Sequence, residues 1–203
     1  MKKLTLCLTL LFVSTIGFAD DGTGYFVGFD LGSAHINYQP NSFSAYTGLV
    51  PATEVSKTKG LASDVYIGYR LYRELGWQVG YMQFQSANFS YANASTSMIA
   101  KRHDYDFLIR GDYPFTSKLN GFVKLGMARI NSRYEVSSAN TSNVTAWSPI
   151  YGAGVSYSIT DHLGVNTQWL HINKVKTNAR SIGVDTPDVP ATNYFSLGML
   201  FRF

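Results

Sequence analysis

The chain has 203 residues, a formal net charge of +4 and a single cysteine, Cys7. One cysteine excludes an internal disulfide, and its place inside an expected leader leaves the mature protein without a thiol nucleophile or thiolate metal ligand. Loss of Lys2 and Lys3 with that leader lowers the net charge from +4 to +2, which argues against a nucleic-acid surface.

Residues 1–19 carry Lys2 and Lys3, an apolar run from Leu4 to Phe18, and the small residues Gly17 and Ala19 just before Asp20. This is the three-part pattern of a cleaved secretory signal peptide. Thr5, Thr9, Ser14 and Thr15 interrupt the run, which is shorter than a spanning helix requires. Leu6 is too large for a lipoprotein cleavage site, so lipidation of Cys7 is not expected. The expected mature chain, 20–203, fits one domain. No later window has the length and apolarity of a spanning helix, so a membrane position would require a barrel.

From Asp20 onward the pattern has a period of two, in eight segments bounded by Gly, Asn, Asp, Ser and Pro. Strands are expected near 24–36, 62–72, 75–84, 103–113, 119–130, 147–159, 163–172 and 193–203. The first sets Tyr25, Val27, Phe29 and Leu31 against Gly28, Asp30 and Gly32. The second sets Val65, Ile67, Tyr69 and Leu71 against Asp64, Tyr66, Gly68 and Arg70, and the third places Trp77, Val79 and Tyr81 on one face. The fourth is the clearest, with Tyr105, Phe107, Ile109 and Gly111 interleaving with Asp104, Asp106, Leu108, Arg110 and Asp112. The later segments continue the apolar face through Val123, Leu125 and Met127, then Tyr151, Val155 and Tyr157, then Val165 and Trp169.

A soluble barrel would also alternate, with its apolar face inward. Volume decides against it, because an eight-stranded interior is just wide enough for side chains to fill and some thirty residues rich in Tyr, Phe, Trp and Leu would overfill it. The opposite face, with Gly28, Gly32, Gly68, Gly80, Gly126, Gly152, Gly154 and Gly198 beside its polar residues, fits inside. An outward apolar face belongs in lipid. The expected fold is therefore an all-β, eight-stranded antiparallel up-and-down transmembrane barrel.

The connections alternate between long polar stretches near 37–61, 85–102, 131–146 and 173–192 and short turns at 73–74, 114–118 and 160–162. In a bacterial outer-membrane barrel the short turns face the periplasm, which places both termini there. Tyr25, Tyr69, Trp77, Tyr113, Tyr157, Phe201 and Phe203 then form one aromatic girdle, and Tyr105, Trp147, Tyr151, Trp169 and Phe195 the other.

The last segment runs Phe195, Leu197, Met199, Phe201 and Phe203 on one face. Such an ending resembles the signature that the barrel-assembly machinery recognises. Several stretches resemble the OmpA-type transmembrane barrel family: GWQVGY at 76–81, DYPFTSKL at 112–119, KLGMA at 124–128, SPIYGAGVSYSIT at 148–160 and SLGMLFRF at 196–203. The resemblance covers roughly 65–203 and implies an eight-stranded barrel with mobile extracellular loops and a polar, hydrogen-bonded lumen. Family members usually continue into a peptidoglycan-binding domain, whereas this chain stops at Phe203, so wall anchoring is not carried over. The family's lumen also holds buried salt bridges thought to act as a gate. The corresponding carboxylate and Arg positions here are Gln78, Ser156 and Asn166, so that gate is not reproduced in full. Arg110 and Lys124 match basic lumen positions, with Asp30, Asp106 and Arg70 as expected partners; such charges would be costly unpaired.

Candidate chemistry is sparse. His35, His103, His162 and His171 lack evident triad partners and show no metal-ligand spacing. No enzyme activity, cofactor or metal is expected. Asn88, Asn93, Asn140 and Asn143 lie in Asn-X-Ser/Thr settings, read here as polar loop composition. Eight basic residues fall in the expected loops: Lys57, Lys59, Lys101, Arg102, Arg133, Lys174, Lys176 and Arg180. Of these, Lys174, Lys176 and Arg180 form a candidate patch for lipopolysaccharide or host glycans, with plain solubility as the alternative. The expected function is a structural and surface-recognition role, adhesin-like, through four loops. A narrow gated pore lined by Asp30, Arg70, Gln78, Asp106, Arg110, Lys124, Asn166 and Gln168 is the alternative, and a lipid A-modifying enzyme stands third. Expected partners are outer-membrane lipid, lipopolysaccharide, the barrel-assembly machinery and a host or matrix ligand, with no nucleic acid, and the chain is expected to be a monomer.

Overall fold

The structure, a computed structural model, describes residues 23–38, 54–55, 59–90, 97–136, 142–176, 180–181, 184–185 and 188–203. The expected signal peptide lies outside the described residues. Eight long strands follow in chain order: β1 (Gly24–Ile36), β2 (Lys59–Tyr72), β3 (Leu75–Ser90), β4 (Ser97–Pro114), β5 (Leu119–Val136), β6 (Ser142–Ser158), β7 (Leu163–Ile172) and β8 (Thr192–Arg202). Each pairs antiparallel with its neighbours in sequence, and β1 pairs with β8 to close an all-antiparallel up-and-down barrel.

Closure fixes the stagger. The pairs Phe26–Gly68, Gly68–Gln78, Gln78–Leu108, Leu108–Gly126, Gly126–Ile150, Ile150–Ile172, Ile172–Thr192 and Thr192–Ile36 circle the barrel once. The path returns to β1 ten residues beyond its start, and such a shear requires the strands to tilt by about 35–45°. At the seam the Phe203 amide donates to the Tyr25 carbonyl at 3.0 Å. Gly24 enters β1 at φ 141°, where a Cβ would press on the Phe203 carbonyl oxygen.

Two of the short turns share one device. Thr116 Oγ1 accepts the amide of Leu119, and Thr160 Oγ1 accepts that of Leu163, both at 3.0 Å. Each hydroxyl satisfies a backbone donor that the tight reversal leaves without a ladder partner. These turns define one end of the barrel, the turn end; the long connections define the other, the loop end.

The strands are unequal. β1, β2, β7 and β8 have 13, 14, 10 and 11 residues, whereas β3 to β6 have 16, 18, 18 and 17. A tilted strand crosses a bilayer in about 9–11 residues, so β7 and β8 just span one while β4 and β5 continue roughly 15–20 Å further. The surplus forms a raised wall at the loop end. The bridge partners Glu54–Ser90 and Val55–Phe89 extend the wall beyond the edge of β3. On the β6 side the chain after β7 is tied down by Asn173, whose amide donates to the Pro149 carbonyl at 3.1 Å and whose carbonyl accepts from Ser148 Oγ at 2.7 Å.

The wall corrects the sequence reading, in which 85–102 and 131–146 were expected as loops. Lys59, Lys101 and Arg133 lie on strands, and Arg102 points inward, buried. The physical reason is a change of polarity along the same strands. In the lower part the outward residues are apolar, with Leu125 65% and Leu197 68% exposed while inward Lys124 is 2% exposed. In the wall the outward residues include Gln83 and Gln85 on β3, Lys101 and His103 on β4, Arg133 on β5, and Asn143 and Thr145 on β6. Inward, the wall packs Ile36, Tyr38, Phe84, Phe89, Tyr134, Val144, Ile172 and Val189 into an apolar core. It is built like a soluble β-structure set on a membrane one.

Candidate functional site

The inner face of β4 organises the lumen. From the turn end it presents Asp112, Arg110, Leu108, Asp106, Asp104 and Arg102, because a two-residue spacing repeats on one face. Two Arg-X-Asp units therefore become buried ion pairs. Arg110 donates to Asp112 with Nη2–Oδ1 at 2.7 Å, and Arg102 to Asp104 with Nη2–Oδ2 at 2.6 Å. Arg70 reaches Asp112 at 3.5 Å, so one carboxylate serves two guanidinium groups. Arg110 also lies 3.9 Å above the centre of the Phe122 ring and contacts Ser156 Oγ at 3.4 Å. Arg102 donates to Thr192 Oγ1 at 2.7 Å.

Above the Arg110 cluster comes a polar middle layer. Gln168 Nε2 donates to Asp30 Oδ2 at 2.5 Å, and Asn166 Nδ2 to the Tyr66 hydroxyl at 2.9 Å. Lys124 lies buried with its Nζ 4.7 Å from the Tyr66 ring centre and 5.3 Å from that of Phe122. Asp64, Asp106, Gln78 and the Lys124 ammonium carry buried polar atoms with no hydrogen-bond partner among the described residues. Groups of this kind are normally met by buried water. Glycines make room for the large inward groups: the Tyr66 ring covers Gly28, Phe26 covers Gly68, Phe122 covers Gly154, and the carboxylates of Asp106 and Asp30 occupy the space beside Gly80 and Gly198.

All eight expected lumen residues point inward, although not paired as expected. Arg110 is held by Asp112, not by Asp30 or Asp106, and Arg70 shares that partner. Lys124 makes ring contacts in place of a direct ion pair. Sequence reasoning passed over Asp112, Asp64, Asp104 and Arg102 as site residues, and the signal that could have found three of them is the repeated Arg-X-Asp at 102–104 and 110–112.

Phe195, Leu197, Met199, Phe201 and Phe203 all lie outward and exposed on or beside β8. His103 and His171 face outward in aromatic groups, His103 beside Tyr81 and Tyr105, His171 beside Tyr151 and Trp169. Lys174 pairs with Asp188 at 2.9 Å, and Lys176 is exposed. The Arg180 side chain, Lys57, Asn93 and Asn140 lie outside the described residues.

A closed eight-stranded barrel with an apolar, aromatic-rimmed exterior and a charged interior is a transmembrane β-barrel of the outer-membrane class. Residues 20–203 match the OmpA-like transmembrane domain, and the chain belongs to that family. Outer membrane protein A of Shigella flexneri is 23% identical over 161 residues, which are 77% of this chain and 44% of that protein. The chain thus spans less than half the length of this curated relative. Neisserial surface protein A superimposes with a TM-score of 0.61 at 16% identity, covering 90% of this chain and 100% of its own. Ail, the attachment invasion locus protein of Yersinia pestis, in complex with the heparin analogue sucrose octasulfate, gives a TM-score of 0.53 at 10% identity, covering 89% of this chain and 97% of its own. These two likenesses show the fold.

Proposed function

We propose that this outer-membrane barrel is a surface-recognition protein of adhesin-like type. Residues 1–19 are removed on export, 20–203 form the barrel, and Phe195, Leu197, Met199, Phe201 and Phe203 present the face read by the assembly machinery. The termini and short turns lie in the periplasm, and the raised wall stands outside the cell. The observation that carries the reading is the wall itself. Lipid spanning needs none of its surplus residues, yet it has its own apolar core and a hydrated outer face, which is what a rigid binding platform requires. Its mechanism is binding, not turnover. The neighbouring basic residues Lys174, Lys176 and Arg180 favour an acidic glycan as ligand, in keeping with the heparin analogue bound by Ail. Cells displaying the chain should bind immobilised matrix or sulfated glycan, and binding should fall when Lys174, Lys176 and Arg180 are neutralised or, in a separate variant, when the 173–191 connection is replaced by a Gly-Ser linker. Unchanged binding would contradict the reading.

One observation favours a second reading, a gated pore: the middle layer of Asp30, Gln78, Asp106, Lys124, Asn166 and Gln168 is polar enough to hold water. The apolar core above it and the Arg110 guanidinium stacked on Phe122 below oppose steady flow. Conductance across planar bilayers separates the two readings.

A further inference from the structure

The outward face of β4 to β6 carries a three-by-three array at the height where lipid gives way to water. Register pairs define its rows: Tyr105, Arg129 and Trp147; then His103, Asn131 and Thr145; then Lys101, Arg133 and Asn143. Directly below lie Phe107, Met127 and Pro149. Arg129 is exposed among exposed aromatics, Tyr105 at 52% and Trp147 at 59%. It has no carboxylate partner among the described residues. Thr145 Oγ1 donates to Asn131 Oδ1 at 3.1 Å, which leaves the Asn131 amide free to donate outward. Lys101 and Arg133 converge on Glu135, one row beyond the array, at 2.9 and 3.0 Å, so the three cations of the array face one neighbouring carboxylate.

An outward guanidinium at an aromatic girdle has lipid below it and headgroups beside it, and its planar fork suits phosphate oxygens. An ordinary phospholipid would engage the Arg129 row alone. The second cationic row stands about 13 Å further along β5, four residues at the usual strand rise, with hydroxyl- and amide-bearing groups between. That order of apolar, cationic, polar and cationic rows matches an amphiphile with acyl chains, a phosphate, saccharide hydroxyls and a second phosphate. We propose that this face binds one outer-leaflet lipid with a bisphosphorylated saccharide headgroup, seated on Arg129, Asn131, Thr145, Lys101 and Arg133. The choice of leaflet rests on the orientation proposed above, whereas the binding itself does not.

The test uses the full chain refolded in uncharged detergent micelles with Trp77→Phe and Trp169→Phe, leaving Trp147 as the sole tryptophan. Trp147 emission is followed while bisphosphorylated lipid A or phosphatidylglycerol is added. Saturable lipid A binding is expected, tighter than that of phosphatidylglycerol and weakened at least tenfold by Arg129→Gln with Arg133→Gln. Lys59→Gln, a cation at the same end but outside the array, should leave it unchanged. Asn131→Ala with Thr145→Ala provides a second, charge-neutral variant, expected to weaken lipid A binding and spare phosphatidylglycerol. Equal affinity for the two lipids, undiminished lipid A binding in both double variants, or a loss on Lys59→Gln equal to that of the Arg pair would overturn the proposal.

Discussion

The carboxylate of Asp30 occupies the space that a side chain at Gly198, its register partner across the β1–β8 seam, would need. One contact therefore couples closure of the barrel to the polar layer of its lumen. A Cβ at Gly198 would strike Asp30 and approach the Phe29 carbonyl, and overpacking of this kind costs about 1–3 kcal/mol. Gly198→Ala should lower stability by that amount in urea unfolding from lipid vesicles. Pairing it with Asp30→Ala should recover part of the loss.

Asp112 serves both Arg110 and Arg70, at 2.7 and 3.5 Å, so its removal differs from removal of either partner. Asp112→Ala leaves two buried guanidinium groups without their carboxylate, a loss on the order of 3–5 kcal/mol. Arg110→Ala leaves Asp112 with Arg70 and should cost less. Equal losses in unfolding experiments would show that Arg70 does not share the carboxylate.

The lower barrel was legible in the sequence because Tyr105, Phe107 and Ile109 alternate with Asp104, Asp106 and Arg110 under one rule, apolar outward and polar inward. That rule ends at the girdle. Past Tyr81 and Tyr105 the outward residues become Gln83, His103 and Lys101 while Phe84 and Tyr134 turn inward, so strand continuation looks like polar loop. The inward direction of each lumen residue followed from parity alone. Partner choice did not, since Arg110 reaches Asp112 on its own strand and not a carboxylate across the lumen.

At the top of the wall, the hydrogen bond from Lys101 holds the Glu135 carboxyl below its ordinary range, with Arg133 adding to the effect. A lowered folded-state pKa means that the pair contributes above the ordinary carboxylate value and is lost as pH falls through the folded value. Glu135 should therefore titrate below 4.5 by NMR. Lys101→Gln should move its midpoint up, and high salt should do the same.

The apolar core of the wall sets an expectation for conductance. With Ile36, Phe84, Ile130, Ile150 and Ile172 each no more than 5% exposed, Lys124→Ala or Arg110→Ala alone should leave the barrel closed in planar bilayers. Phe84→Ser with Ile150→Ser should raise its opening frequency by wetting that layer. Conductance that rises with Lys124→Ala alone would favour the pore reading.

The central claim is that the outer wall of β5 leaves lipid at Arg129. Nitroxide labels placed singly at positions 123, 125, 127, 129, 131, 133 and 135, with Cys7 replaced by Ser, report depth in vesicles through their relative accessibility to oxygen and to a water-soluble nickel chelate. Oxygen should dominate through position 127, the two should cross near 129, and the chelate should dominate from 131 to 135. Lipid-like accessibility at 133 and 135 would put the wall inside the bilayer and contradict the account.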